Sequence, residues 1–83
     1  MKINLRILFA DGTSRDITCT ASDIVKFEDK FNISVSRLQE DVKVTYLLFL
    51  AWASESRRKA TGLDFDAWVE TVESVGASES DPK

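Results

Sequence analysis

The 83-residue chain has no histidine, one cysteine and three glycines, and each scarcity removes a class of function. Without histidine it lacks the commonest general base and the commonest metal ligand. Cys19 alone cannot form an intrachain disulfide, and with no histidine beside it it makes a poor nucleophile. Its place on the apolar face of a strand makes it a core residue. No Cys/His cluster offers a zinc site. Gly12, Gly62 and Gly76 are too scattered to cradle a phosphate. Basic excess is missing as well: 11 Lys and Arg face 14 Asp and Glu, for a net charge of −3. Nucleic acid is therefore not an expected partner, because displacing counterions from phosphates needs cations. The longest apolar run, Tyr46 to Ala53, falls well short of the roughly 18–20 residues of a membrane span. The first residues, Met1 to Arg6, interleave charge with apolar side chains, unlike the unbroken core of a signal peptide. These absences predict a soluble domain that is not an enzyme and uses no cofactor and no metal.

What is present fits a folded domain, with 43% hydrophobic and 30% charged residues. Residues 2–9 alternate, with Ile3, Leu5, Ile7 and Phe9 on one face, which predicts a half-buried strand. A second strand follows within residues 13–20. Placing Gly12 at positive φ in a three-residue loop pairs Phe9 with Thr13, Leu5 with Ile17 and Ile3 with Cys19, which keeps one face apolar. Thr20 or Ser22 can cap a first helix over about 22–32, with the apolar stripe Ile24, Phe27 and Phe31 and a left-handed end at Asn32. Ser36 and Gln39 form a capping-box pattern, so a long second helix is expected over about 37–60, ending before Gly62. A third helix, about 64–75, would bury Phe65, Trp68, Val69, Val72 and Val75 and stop at Gly76. The expected architecture is α+β in a single domain, residues 1–76. An N-terminal hairpin (2–20) packs on a bundle of three helices, the second longest and most apolar. Residues 77–83 are polar and expected to be disordered.

Carboxylate pairs carry little chemistry: Asp64 and Asp66 read as a helix start, and Glu28–Asp29 as a solvated face. Arg57-Arg58-Lys59 suits the negative end of a helix, or could grip an acidic partner. The second helix is the feature in excess. Only Lys43 and Thr45 interrupt the apolar residues from Val42 to Ala53, and a helix apolar all round must be covered on every side. The domain's own core could supply that cover. Alternatively, so small a domain could leave an apolar patch for a copy of itself or a client. On this second reading, Tyr46, Phe49, Leu50, Trp52, Arg57, Arg58, Phe65 and Trp68 are the candidate residues for partner binding and self-association, the large aromatics acting as anchors.

Phe9-Ala10-Asp11-Gly12, Asp23-Ile24-Val25-Lys26-Phe27-Glu28-Asp29-Lys30-Phe31, Leu47-Leu48-Phe49-Leu50-Ala51-Trp52-Ala53 with Arg57-Arg58, and Leu63-Asp64-Phe65-Asp66-Ala67-Trp68-Val69-Glu70-Thr71-Val72 together resemble the short tail assembly chaperones of long-tailed bacteriophages, especially those of actinobacteria. The resemblance covers roughly residues 2–75 and contains no catalytic motif. It implies a non-catalytic protein of the host cytoplasm, absent from the finished virion. Such a protein keeps the tape measure protein soluble and helps tail tube protein assemble around it. It also implies a short form and a frameshifted longer form. Competing expectations are a small homo-oligomeric virion part and an acidic regulatory protein-binding domain.

Overall fold

The computed structural model describes residues 3–34, 36–37 and 43–77. The chain is α+β. Strands β1 (Ile3–Phe9), β2 (Ser14–Cys19) and β3 (Val72–Ala77) form an antiparallel sheet of order β2-β1-β3, against which pack α1 (Ala21–Phe31), α2 (Val44–Arg57) and α3 (Phe65–Val69). The hairpin has the expected register: Leu5 lies opposite Ile17 and Ile3 opposite Cys19. The Phe9 N–H donates to the Thr13 carbonyl at 2.8 Å, and Gly12 turns the loop at φ 94°. The inner face presents Leu5, Ile7, Ile17 and Cys19 to the helices, all essentially without exposed surface. The outer face is polar except for exposed Leu8 and carries the Arg6–Asp16 pair at 2.8 Å.

α1 starts and stops where its capping residues predict. Thr20 is the N-cap in extended backbone, and its N–H donates to Asp23 Oδ2 at 2.9 Å. Asn32 closes the helix at φ 56°, ψ 40°. α2 lies against the sheet through small side chains. Ala51, Ala53 and Ser54 are fully buried, and Ser54 Oγ donates to the Thr18 carbonyl at 3.3 Å. With Leu50, Ile24, Phe27 and Trp68 they complete the core.

Three boundaries differ from those expected. α2 begins at Val44 rather than near residue 37, because Lys43 is extended (φ −113°, ψ 145°) and serves as N-cap. Upstream, the Ser34 side chain accepts from the Ser36 N–H at 3.2 Å, and the Arg37 N–H bonds the Ser34 carbonyl. These local bonds make a single tight turn of Ser36–Arg37; residues 38–42 lie outside the described residues. α2 ends at Arg57, short of residue 60. Lys59 adopts φ 61°, the Lys59 N–H bonds the Ser56 carbonyl, and the Ala60 N–H bonds the Glu55 carbonyl at 2.8 Å. This is a Schellman closure with lysine in the position that usually holds glycine.

The third difference is larger. The expected helix over 64–75 is a five-residue helix followed by a strand. Asp64 caps α3, accepting from the Ala67 N–H at 2.8 Å, and Thr71 ends it by donating both its N–H and its hydroxyl to the Trp68 carbonyl. β3 then fills the open side of β1. Its register slips between Leu8 and Phe9, so Val75 lies opposite Ile7 and Val72 opposite Phe9, with Glu73 as the extra residue. That bulge brings two valines three positions apart onto one side of a strand, a spacing that in sequence reads as helix. Gly76 is therefore a strand residue and not a helix stop, and residue 77 belongs to β3 rather than to a tail; residues 78–83 lie outside the described residues.

Candidate apolar docking surface

α2 is flanked on three sides: the sheet, α1 and α3. Its outward side is closed by aromatic rings reaching across from the neighbouring helices. Phe31 of α1 meets Tyr46 at 5.0 Å and Phe49 at 5.5 Å between ring centroids. Phe49 in turn meets Trp52 at 5.6 Å and Phe65 of α3 at 5.7 Å, and Trp52 meets Phe65 at 5.8 Å. Phe27 lies beneath, against Phe31 and Tyr46. The result is a continuous aromatic seam from α1 across α2 to α3. Four of these seven contacts are edge-on, an arrangement that aromatic quadrupoles favour. Phe31, Tyr46, Trp52 and Phe65 are each only half-buried, so the seam is also a surface.

The seam ends differently on its two sides. The Lys43 ammonium lies 5.8 Å from the Tyr46 ring centroid, a cation–π contact at the start of α2. At the other end Trp52 Nε1 donates to the Leu63 carbonyl at 2.9 Å, tying the α2–α3 loop to the seam and leaving the Leu63 side chain 44% exposed. On the far side of α2, a shallow hollow of about 80 Å³ opens between Val44, Leu48, Val69, Val72 and Val75, with Glu73 and Ser74 at its rim. Val44 is 61% exposed. The amino-terminal half of α2 is thus the part of this apolar helix that its own domain covers least.

The candidate residues separate into two groups. Tyr46, Trp52 and Phe65 come together in the seam, with Phe49 at its centre but only 6% exposed. Leu50 and Trp68 do not belong to a surface. Leu50 faces the sheet with no exposed area, and Trp68 is 2% exposed with its ring edge-on to Phe9 at 6.3 Å. Their expected role in partner binding is corrected to core packing, because both point into the layer between helices and sheet. Arg57 is likewise engaged within the fold. Its Nε and Nη2 reach Asp23 Oδ1 and Oδ2 at 2.9 and 3.0 Å. Arg58 is exposed beyond the helix end. Phe31, Val44, Leu48 and Leu63 were not among the candidates. The aromatic character of Phe31 was the available signal for it; Val44 and Leu63 carry none beyond being apolar.

Two buried carboxylates brace this surface from behind. Burial raises the Asp23 pKa, but the Arg57 guanidinium and the Thr20 N–H outweigh it and hold the carboxyl below the usual range. Glu55, 2% exposed, accepts two bonds from Arg15 at 2.6 and 2.8 Å. No buried side-chain polar atom among the described residues lacks a partner. Cys19 is buried, its thiol pushed up to about 12 by burial and the nearby Asp23 charge, and it donates to the Leu50 carbonyl at 3.3 Å. A thiol held neutral in this way is a packing group rather than a nucleophile. Among the described residues no group of three or more acidic or cysteine side chains could hold a metal ion, and no helix is long and apolar enough to cross a membrane. The chain matches no protein-family model, no curated protein and no solved structure.

Proposed function

We propose that this protein is a bacteriophage tail assembly chaperone that binds apolar stretches of the tape measure protein through the aromatic seam and the exposed start of α2. Two things support the reading. One is the resemblance of its residue pattern to that of short tail assembly chaperones, described above. The other, which carries most of the argument, is the row of half-buried rings Phe31, Tyr46, Trp52 and Phe65 beside exposed Val44 and Leu63. A tape measure protein is a long helical chain prone to aggregation. A surface of rigid aromatics accepts the apolar stripe of such a helix with little ordering cost. The protein would act in the host cytoplasm, promote addition of tail tube protein around its client, and be missing from the finished virion.

Co-expression with the tape measure protein of the same phage tests this directly. The expected result is a soluble complex that co-purifies. An insoluble tape measure and no complex would remove the proposal. Mass spectrometry of purified virions separates it from the reading as a small structural virion part, since only the latter places this chain in the particle.

A further inference from the structure

The sheet has two edges, and they are not alike. On β2, Arg15 lies opposite Ile7 and therefore on the inner face, where it bonds buried Glu55 and lies 5.2 Å from the Phe9 ring centroid. An inward charge on an edge strand is a known guard against edge-to-edge pairing, since an added strand would have to cover it. Asp16 adds a second charge on the outer face. β3 carries its charge at one end only, Glu73 at the bulge, beside the hollow; Ser74, Val75, Gly76 and Ala77 include neither charge nor proline.

The direction of the free backbone groups follows from the register. Phe9 bonds toward β2, through Thr13, and Ala10 bonds toward β3, through the Thr71 carbonyl at 2.8 Å. Groups alternate along an antiparallel strand. Arg6 and Leu8 therefore bond their partners Gly76 and Ser74, and the N–H and C=O of Val75 point away from β1. Among the described residues no turn, loop or cap backbone bond reaches them. Beside this edge lies the hollow between Val44, Leu48, Val69 and Val72, which three strands are too few to roof.

We infer that β3 pairs antiparallel with β3 of a second copy, about a twofold axis through Val75, to make a six-stranded sheet. This register keeps the inner face inward: Val75 meets Val75 of the partner copy in a doubly hydrogen-bonded pair, and Glu73 lies opposite Ala77 of that copy. A one-residue slip would set inner-face against outer-face residues. The two Glu73 residues are then four positions apart along the strand direction, about 13 Å, so no like charges are directly opposed. The added strand extends the sheet over the exposed start of α2. Pairing consumes the unguarded edge on both copies and leaves only guarded β2 edges outside, so assembly closes at a dimer instead of running on as a filament. The interface leaves the aromatic seam open and takes up the start of α2, so it competes with the client proposed above at Val44 and not at the rings.

Light scattering of the full chain across a dilution series, with amide exchange read at Val75, tests the inference. The expected results are a dimer mass at high concentration and a Val75 amide that is protected there and exchanges faster on dilution. Val75→Pro removes an N–H that is unused within the monomer; it should be monomeric with an unchanged circular dichroism spectrum. Should that variant fail to fold, Val75→Cys decides, because residues meeting on the axis lie about 5.5 Å apart at Cα, within disulfide reach, and mild oxidation should link the copies. A monomer at every concentration, a dimer with an unprotected Val75 amide, a folded Val75→Pro that stays dimeric, or a Val75→Cys that does not cross-link would each overturn it.

Discussion

Asp23 has no exposed surface, yet its charge is held by a guanidinium, and this one side chain joins the start of α1 to the end of α2. It also accepts the Thr20 N–H, so a single carboxylate serves as helix cap and interhelical tie. Because its folded pKa is lowered, the stability it contributes is fully present above its unfolded pKa of about 3.9 and is lost as pH falls through the lower folded value. Denaturant melts should thus show stability holding from neutral pH to the ordinary carboxylate range and declining below it, and Asp23→Asn should flatten that decline. The same substitution leaves Arg57 without its counter-charge and should lower stability by about 2–3 kcal/mol, less than for a fully buried pair because Arg57 is partly exposed. Lys59 is a second informative residue. Its left-handed backbone costs a β-carbon-bearing side chain about 1 kcal/mol, so Lys59→Gly should raise stability by about that amount in urea melts.

At the scale of elements, α2 is a helix with two kinds of apolar residue. Leu50 is enclosed, and Leu50→Ala should cost about 2–5 kcal/mol, enough to unfold most of a domain this small. Trp52 is half-buried and bonded to the Leu63 carbonyl, so Trp52→Ala should cost about 2 kcal/mol and leave a folded protein by circular dichroism. How far these roles were legible in the sequence depended on the local signal. Alternation and Gly12 fixed the hairpin and its register, and Thr20 and Asn32 marked the ends of α1. β3 was hidden because the bulge at Glu73 gives Val72 and Val75 the spacing of a helix, and because the strand is specified by the open side of β1, far away in sequence. The start of α2 was hidden by a capping-box pattern whose serine sits in a tight turn instead. Within α2, an aromatic run points to a surface but cannot say which way each ring faces. A helix apolar on all sides carries no directional signal, so Leu50 and Tyr46 look alike until the sheet and α1 are in place.

For the whole molecule, the central claim is that the fold covers α2 incompletely and that the uncovered part binds a client. The sheet protects the inner side of the helix, the paired carboxylates Asp23 and Glu55 hold its far end, and the seam and the start of α2 are left half-open. A client-binding surface of this kind should tolerate loss of a ring without loss of fold, whereas a core should not. The most direct measurement is the amount of tape measure protein that co-purifies with wild-type chain and with the Trp52→Ala variant, each checked for folding by circular dichroism. The account predicts a folded variant that recovers much less client than wild type does. Equal recovery by the folded variant would contradict it.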